Sequence, residues 1–488
     1  MPQNVLWSWT RQVRWAAMTH ITQRVLYGSL ALCVMLSGCR RSPVLYPTVD
    51  GPLSAGEGLR IGVVSSSLPL DGRRSINASI NATYLLRDRV NQCGGVNQAP
   101  ISFVMEQADQ LPRSELTAVK ELIDEHQVHG AIAHLSSFDP SQSLKEFVES
   151  QIPALLFAYP SSVNDGSSLE KLSQSSPGSL GQLSSSYQDS IEALAQVVWS
   201  QGYTQVAFVS VDDSFNQWWT ETFTQAFEAL GGQRVDAETP VFMSRYSRSN
   251  GQEDSSALGE LNGDRPYRLF SFEPEQLALI STWLDQDQTA LIAVLNRFRS
   301  LDFLEALAPL TVDQDSVSLF WADWLQFETA WDRMASDLND AGASGDRPML
   351  VGVAGLTPAV IGDGFPIFKQ AWANNFSEEP PSEAAYAWDA ASLFALAAEA
   401  AGNNGGSSMA AQLRPIATPP GIVVTDVCDG LEHLRAGEDI NYEGASGSLN
   451  LNAQGTVESR FDLWRITPEG EPKIIDRVTP EPGTAATP

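Results

Sequence analysis

From Leu59 onward, short aliphatic and β-branched runs alternate with longer stretches whose apolar positions follow a helical period. Leu59-Arg-Ile-Gly-Val-Val64 has almost no polar alternation, which predicts a strand buried on both faces. Over 75–91 the residues Ile76, Ile80, Tyr84, Leu85 and Val90 fall near one face of a helix. The order then repeats as strand 101–106, helix 114–127, strand 129–134, helix 140–150 and strand 152–158. A Ser/Gly-rich stretch at 172–186 separates this set from a second one, with helix 187–201, strand 205–210, helix 214–231 and strand 234–242. Further units are predicted at 273–286, 289–295, 299–308, 317–321 and 349–353. Strands that alternate with helices of this length imply parallel sheets covered on both sides, so the pattern predicts an α/β protein with two Rossmann-like lobes.

Composition narrows the function. With 488 residues the chain is long enough for two or more cores, and 43% hydrophobic and 18% charged residues fit a folded globular protein. The formal charge of −29 argues against a nucleic-acid partner, which needs a cationic face. Four Cys and five His without a Cys/His cluster predict neither a disulfide scaffold nor a zinc site, and no metal or cofactor is expected. The strand ends carry no Walker A loop, GxGxxG fingerprint or GxSxG elbow. His134 ends a predicted strand but has no visible Ser/Asp partner set, so an envelope amidase or esterase is disfavoured and no enzymatic activity is expected.

Residues 1–38 contain no Asp or Glu, and their charges are Arg11, Arg14 and Arg24, followed by a short apolar run from Val25 to Leu36. That is the layout of a secretory signal. The run ends in Leu36-Ser37-Gly38-Cys39, which resembles the lipobox of bacterial lipoproteins. The resemblance implies cleavage before Cys39 and acylation of that residue, with each buried CH₂ contributing roughly 0.8 kcal/mol of membrane affinity. Loss of the three arginines would take the charge from −29 to −32. Residues 39–58, rich in Pro, Gly and Ser, read as a flexible tether, and 479–488 as a disordered tail.

Several segments, in order, resemble the leucine/isoleucine/valine-binding family of ABC-transporter substrate-binding proteins. Gln92-Cys-Gly-Gly-Val-Asn97 is similar to the loop after that family's first helix, and Tyr203–Asp213 to the strand that opens its second lobe. Ala229-Leu-Gly-Gly232 resembles the end of the next helix, and Tyr386–Gly402 a late helix. Ile440-Asn-Tyr-Glu-Gly-Ala-Ser-Gly447 with Leu449–Gly455 is similar to the family's C-terminal signature. The likeness spans roughly 59–478.

The resemblance implies the type I periplasmic binding fold, two lobes joined by a three-crossing hinge around one small-molecule site. Lobe 1 is expected at 59–184 and 356–460, and lobe 2 at 185–355 and 461–478. In the family, hydroxyls at the first-lobe strand ends hold the carboxylate and ammonium of a bound amino acid. That role carries over to Ser136 or Ser137 after strand 129–134, and to Ser161 or Ser162 after strand 152–158; the plain alternatives are an N-cap and an ordinary turn. In the second lobe Phe215 matches a cleft-lining Tyr but lacks its hydroxyl, and Asn296 follows strand 289–295. Asp323 matches a carboxylate that pairs with a ligand ammonium. Cys93 and Cys428 both fall in the first lobe by this analogy, either paired in an oxidising envelope or as two unpaired thiols.

The expected role is that of an extracytoplasmic solute-binding protein on a lipid anchor, a monomer that captures an amino acid or similar small carboxylate for an ABC permease. A second expectation is the same fold used as a ligand sensor or a regulator of envelope synthesis through a partner protein.

Overall fold

The computed structural model describes residues 58–66, 72–108, 111–135, 140–157, 172, 176–236, 241–242, 244–245, 270–295, 303, 307, 318–322, 352–468 and 472–480. The first lobe opens with β1 (Leu59–Ser66), α1 (Gly72–Gln92), β2 (Ile101–Ala108) and α2 (Pro112–Lys120), which runs on as a π-helical turn over Glu121–Glu125. It continues through β3 (Gly130–His134), α3 (Ser141–Glu149), β4 (Ala154–Leu156) and β5 (Leu180–Gln182). All pairings are parallel and the strand order is β2-β1-β3-β4-β5.

The second lobe begins with α4 (Tyr187–Ser200), β6 (Gln205–Ser210), α5 (Ser214–Ala229), β7 (Gln233–Arg234) and β8 (Val241–Phe242). A small antiparallel pair, β9 (Ser244–Arg245) and β10 (Phe270–Ser271), precedes α6 (Pro274–Leu284), β11 (Thr289–Ala293), β12 (Leu319–Trp321) and β13 (Ala354–Pro358). The chain then returns to the first lobe as α7 (Phe365–Ala373), α8 (Ser382–Ala401), α9 (Gly406–Leu413), β14 (Ile422–Val424), α10 (Val427–Arg435) and β15 (Ile440–Tyr442). Finally β16 (Phe461–Ile466) and β17 (Pro472–Val478) form a hairpin on the second sheet. That sheet runs β17-β16-β13-β12-β11-β6-β7, with β8 also on β6, and it is parallel except for the hairpin.

Two α/β lobes with the chain crossing between them match the architecture expected from the sequence. The elements differ in detail. Beside the unit predicted at 349–353, the described strand is 354–358, where Ala354 and Gly355 pair with β12 while β16 fixes the register on the other side. The single strand expected over 234–242 is two short pieces. β5 lies inside the Ser/Gly-rich stretch that reads as a separator: a Cβ on Gly181 would sit 2.8 Å from Leu155 Cδ2, so a larger residue here would have to push that side chain aside. The hairpin β16–β17 carries no helical cover signal and was not foreseen as strands. Of the helix expected at 299–308, Phe303 and Leu307 are described; both are helical and buried.

Burial explains the first lobe's construction. One face of its sheet packs Val64, Ala131 and Ala133 against α2 and α3, through residues such as Leu122, Leu144 and Phe147. The other face packs Ile61, Ile132 and Leu155 against α1 and α8. Apart from Asp389 and Ser392, the middle of helix α8 is apolar all round, as suits a helix enclosed on every side, and every residue from Ala384 to Ala398 is buried. Its alanines let neighbouring elements approach, and Gly402 ends it in the left-handed conformation at φ 65°.

Two devices tie the late segments to the early ones, and a third ties two late segments to each other. A disulfide joins Cys93 to Cys428 with the Cα atoms 5.9 Å apart. Arg89 pairs with Asp426, which also caps α10 by accepting from the Cys428 amide at 2.8 Å. At the other end of α10, Arg435 donates to the carbonyls of Cys93 (3.0 Å) and Gly95 (2.6 Å). Gly95 must be glycine here: φ is +74° and a Cβ would lie 2.1 Å from the Ala99 carbonyl oxygen.

The third device is Asp389 of α8. Its fully buried carboxylate accepts from the amides of Ala445 (2.8 Å) and Ser446 (2.7 Å), from the Ser446 hydroxyl, and from the Tyr442 hydroxyl at 3.4 Å. Burial pushes its pKa up to about 6, against the opposing pull of these donors. A Cβ on Gly444 would come 2.4 Å from Asp389 Oδ2, so the Glu-Gly-Ala-Ser-Gly turn is shaped around this one acid.

Candidate functional site

In parallel α/β sheets a ligand sits beyond the carboxyl ends of the strands. Topology brings the two sets of carboxyl ends together. β5 ends at Gln182, and after four intervening residues α4 starts; since α4 finishes just before β6 begins, its start lies level with the carboxyl end of the second sheet. β13 ends at that same edge and gives way to the segment leading to α7. β16 is antiparallel and opens opposite Pro358, so the third crossing arrives there as well. The crossings are tied to one another: the Gln182 amide donates to the Gly455 carbonyl at 2.7 Å, the Ala359 amide to the Arg460 carbonyl at 2.9 Å, and the Ser459 hydroxyl to Asp189 at 2.6 Å.

On the first lobe this edge is polar and enclosed. The Ser66 hydroxyl donates to the buried carboxylate of Glu115 in the first turn of α2. His134, at the end of β3, has Nδ1 3.2 Å from the Ser66 carbonyl oxygen. A carbonyl only accepts, so Nδ1 carries the proton and Nε2 of the neutral ring is an acceptor. Burial lowers the His134 pKa to about 4, with the bond to Ser66 opposing the shift. The His134 ring lies 5.5 Å from Phe157, which stacks 6.4 Å from Tyr386. Burial, followed by the carboxylates of Glu383 and Asp389, holds the Tyr386 hydroxyl well above its ordinary range. The buried hydroxyls of Ser65, on β1, and Ser184, in the first crossing, have no hydrogen-bond partner among the described residues. Buried hydroxyls without partners at a cleft edge are positions a ligand or a water would satisfy.

On the second lobe, Asp213 caps α5, accepting from the Asn216 amide and side chain, each at 2.9 Å. The neighbouring Asp212 is exposed and takes a bond from Gln217 at 2.8 Å. Phe215, in the first turn of α5, stands edge-on to Tyr187 at 5.5 Å and lies 5.9 Å from Trp218. Trp219 is buried in the core beneath.

Of the residues singled out from the sequence, Phe215 is placed at this edge, half-buried and beside the first crossing. Ser136, Ser137, Ser161, Ser162, Asn296 and Asp323 lie outside the described residues, as does Cys39; the first two follow β3 and the next two follow β4 in the chain. Sequence reasoning missed Ser65, Ser66, Glu115, Ser184 and Tyr187. The Ser65-Ser-Ser67 run at the end of β1 was a usable signal, and Tyr187 is the aromatic residue that stands beside Phe215. No group of His, Cys, Asp and Glu suited to a metal occurs among the described residues, nor any helix long and apolar enough to cross a membrane.

Residues 59–244 match the model of a family described as periplasmic binding protein. No curated protein matches the chain. Among solved structures, it is similar to a branched-chain amino acid transporter substrate binding protein from Streptococcus pneumoniae in complex with isoleucine. The identity is 13%, the TM-score 0.58, and 87% of this chain and 100% of that one are covered. An ABC transporter substrate-binding protein from Desulfitobacterium hafniense complexed with Leu gives 16% identity and TM-score 0.58, over 86% and 100% of the two chains. A solute binding protein from R. palustris in complex with benzoate gives 13% and 0.55, over 87% and 97%. Two α/β lobes, three crossings at the carboxyl edge and this likeness over most of the chain together give the protein the type I periplasmic binding fold.

Proposed function

We propose that the protein is an extracytoplasmic solute-binding protein of an ABC importer, held to a membrane by lipid on Cys39, that captures an amino acid or similar small carboxylate by closure of its lobes. It binds and releases; no bond of the ligand is made or broken. The observation that carries this reading is the meeting of both sheets' carboxyl ends at three crossings. A ligand that touches both edges favours the closed arrangement over the open one, because only there are both sets of contacts made. The start of α3, preceded by Ser136 and Ser137, suits a carboxylate through the positive end of its dipole, and Ser161 and Ser162 add hydroxyls after β4. Phe215, Asn296 and Asp323 form the second lobe's side, with Asp323 as partner of an ammonium. The solved relatives named above carry isoleucine, Leu and benzoate. A carboxylate is their shared group, which supports the class without fixing the member.

A thermal-shift screen with leucine, isoleucine, benzoate and the matching amides tests the proposal on folded protein stripped of carried-over ligand. A carboxylate at 100 times its dissociation constant should stabilise by about 2.7 kcal/mol. Absence of a shift with every compound sinks it. Single Ser→Ala changes at 136, 137, 161 and 162 should weaken the best ligand in at least one case. For the anchor, incorporation of a labelled fatty acid in cells should vanish in Cys39→Ser.

A further inference from the structure

A second recess lies at the opposite end of the second lobe's sheet. Tyr203 precedes β6 and Gly352 precedes β13, so both mark the amino ends of the parallel strands, away from the crossings. There the last turn of α4 and the hairpin β16–β17 leave a cavity of about 800 Å³. That is within the 300–1,000 Å³ typical of small-molecule pockets. Its floor is aromatic: Tyr203 and Phe320 meet edge-to-face at 5.6 Å, next to Leu463.

The chemistry of the recess centres on Arg465. Alternation along β16 sends Trp464 and Ile466 into the core on one face of the sheet, while Phe461 and Leu463 pack into the core on the α4 side. Arg465, two residues beyond Leu463, follows it to the α4 side and lines the cavity. Its Nη2 donates to Gln201 Oε1 at 2.7 Å, while its buried Nε has no partner. Among the described residues no carboxylate pairs with it, although the chain has 59 acidic residues for 30 basic ones. The neighbouring Arg477, by contrast, is neutralised by Asp462 at 2.7 Å. A half-buried guanidinium without an acid, over an aromatic floor, is an incomplete ion pair. Asp476 on the rim would repel a second negative charge.

We propose that this recess is a second ligand site, separate from the cleft, which takes a small aromatic monocarboxylate: the carboxylate on the Arg465 guanidinium, the ring against Tyr203 and Phe320.

Isothermal titration of the full chain with phenylacetate, and with phenylacetamide as the uncharged match, tests this. Phenylacetate should bind saturably at one site in this recess. Arg465→Gln should weaken it at least tenfold, and phenylacetamide should be at least tenfold weaker on the unaltered protein. Ser200→Phe, which keeps Arg465 but fills the cavity, should abolish binding, while Ser161→Ala should leave it unchanged; circular dichroism verifies that each variant is folded. The proposal is overturned if phenylacetate does not bind, if acid and amide bind alike, if folded Ser200→Phe or Arg465→Gln binds normally, or if Ser161→Ala removes binding.

Discussion

Both lobes are sheets wrapped in helices, but they are closed by different means. Lobe 2 is built mainly from one continuous stretch, and the returning chain adds only the β16–β17 hairpin to its edge. Its two cores, one on each face of the sheet, are aromatic: Phe208, Trp219, Phe223 and Phe227 on the α4 and α5 side, and Trp283, Phe303, Trp321 and Trp464 on the other. Lobe 1 is assembled from two distant stretches, and its principal core is filled by the alanine-rich α8 from the second. Alanine contributes little buried area per residue, so that lobe depends more on directed bonds: the disulfide, the clasp around α10 and the Asp389 turn. A discontinuous lobe is held by specific joints, a continuous one by packing.

That contrast breaks first at Asp389. Asp389→Ala would leave the buried donors of Ala445, Ser446 and Tyr442 without an acceptor, at about 1–3 kcal/mol each. Urea denaturation should show a loss of about 3–5 kcal/mol, with hydrogen exchange rising in lobe 1 and not in lobe 2. A loss below about 1 kcal/mol would mean that the turn is held by packing after all. Next, Cys93→Ser with Cys428→Ser should cost about 2–4 kcal/mol, since the bridge closes a long loop in the unfolded chain. Amide protection near α1 and α10 should fall, and that of β6 and β11 should not.

Acidity sharpens the comparison inside lobe 1. Asp389 holds its proton to about pH 6 in the fold, against an ordinary value of 3.8, so its contribution is lost as pH rises from about 4 to 6. His134 stays neutral down to about pH 4, against 6.5 when unfolded, so its contribution is lost as pH falls over nearly the same range. The two slopes oppose, each worth roughly 2 kcal/mol between pH 4 and 6. Stability of the unaltered protein should therefore change little there from these two groups. His134→Gln should lose stability as pH rises, and Asp389→Asn should gain it. Identical pH profiles for the two variants would refute the opposition. The smallest effect is expected in lobe 2, where Phe223→Leu keeps an apolar side chain and loses ring contacts with Phe208, Trp219 and Phe227. A cost of about 1 kcal/mol, confined to that lobe, fits packing as its support.

The fold was legible where burial on two faces writes a continuous apolar run, as in β1 and β6, and where a helix keeps its period, as in α1 and α4. It was illegible where pairing overrides composition. Leu180-Gly-Gln182 becomes a strand because β4 offers it an open edge, and Ala354–Pro358 because β12 and β16 flank it. The candidate site was less legible. Phe215 could be found because it opens a helix after a readable strand. Glu115 acquires its place from the packing of α2 against the end of β1, and Ser184 and Tyr187 from the first crossing, none of which local sequence encodes. The Asp389 turn shows the same limit: Tyr386–Gly402 and Ile440–Gly447 were each recognisable, but their bond across more than fifty residues was not.

The late arrival of α8 has a consequence for synthesis. By the time residue 182 leaves the ribosome, every strand of the first sheet exists, and α2 and α3 can cover the face that carries Val64, Ala131 and Ala133. The opposite face, with Ile61, Ile132 and Leu155, has only α1 for shelter until some two hundred more residues have been made. Lobe 2 has no such wait for its helices, which are interleaved with its strands; only the β16–β17 hairpin arrives late. The nascent chain thus carries a finished but half-clothed apolar sheet through that long middle part of its elongation, the kind of surface that chaperones bind and that aggregates when they do not.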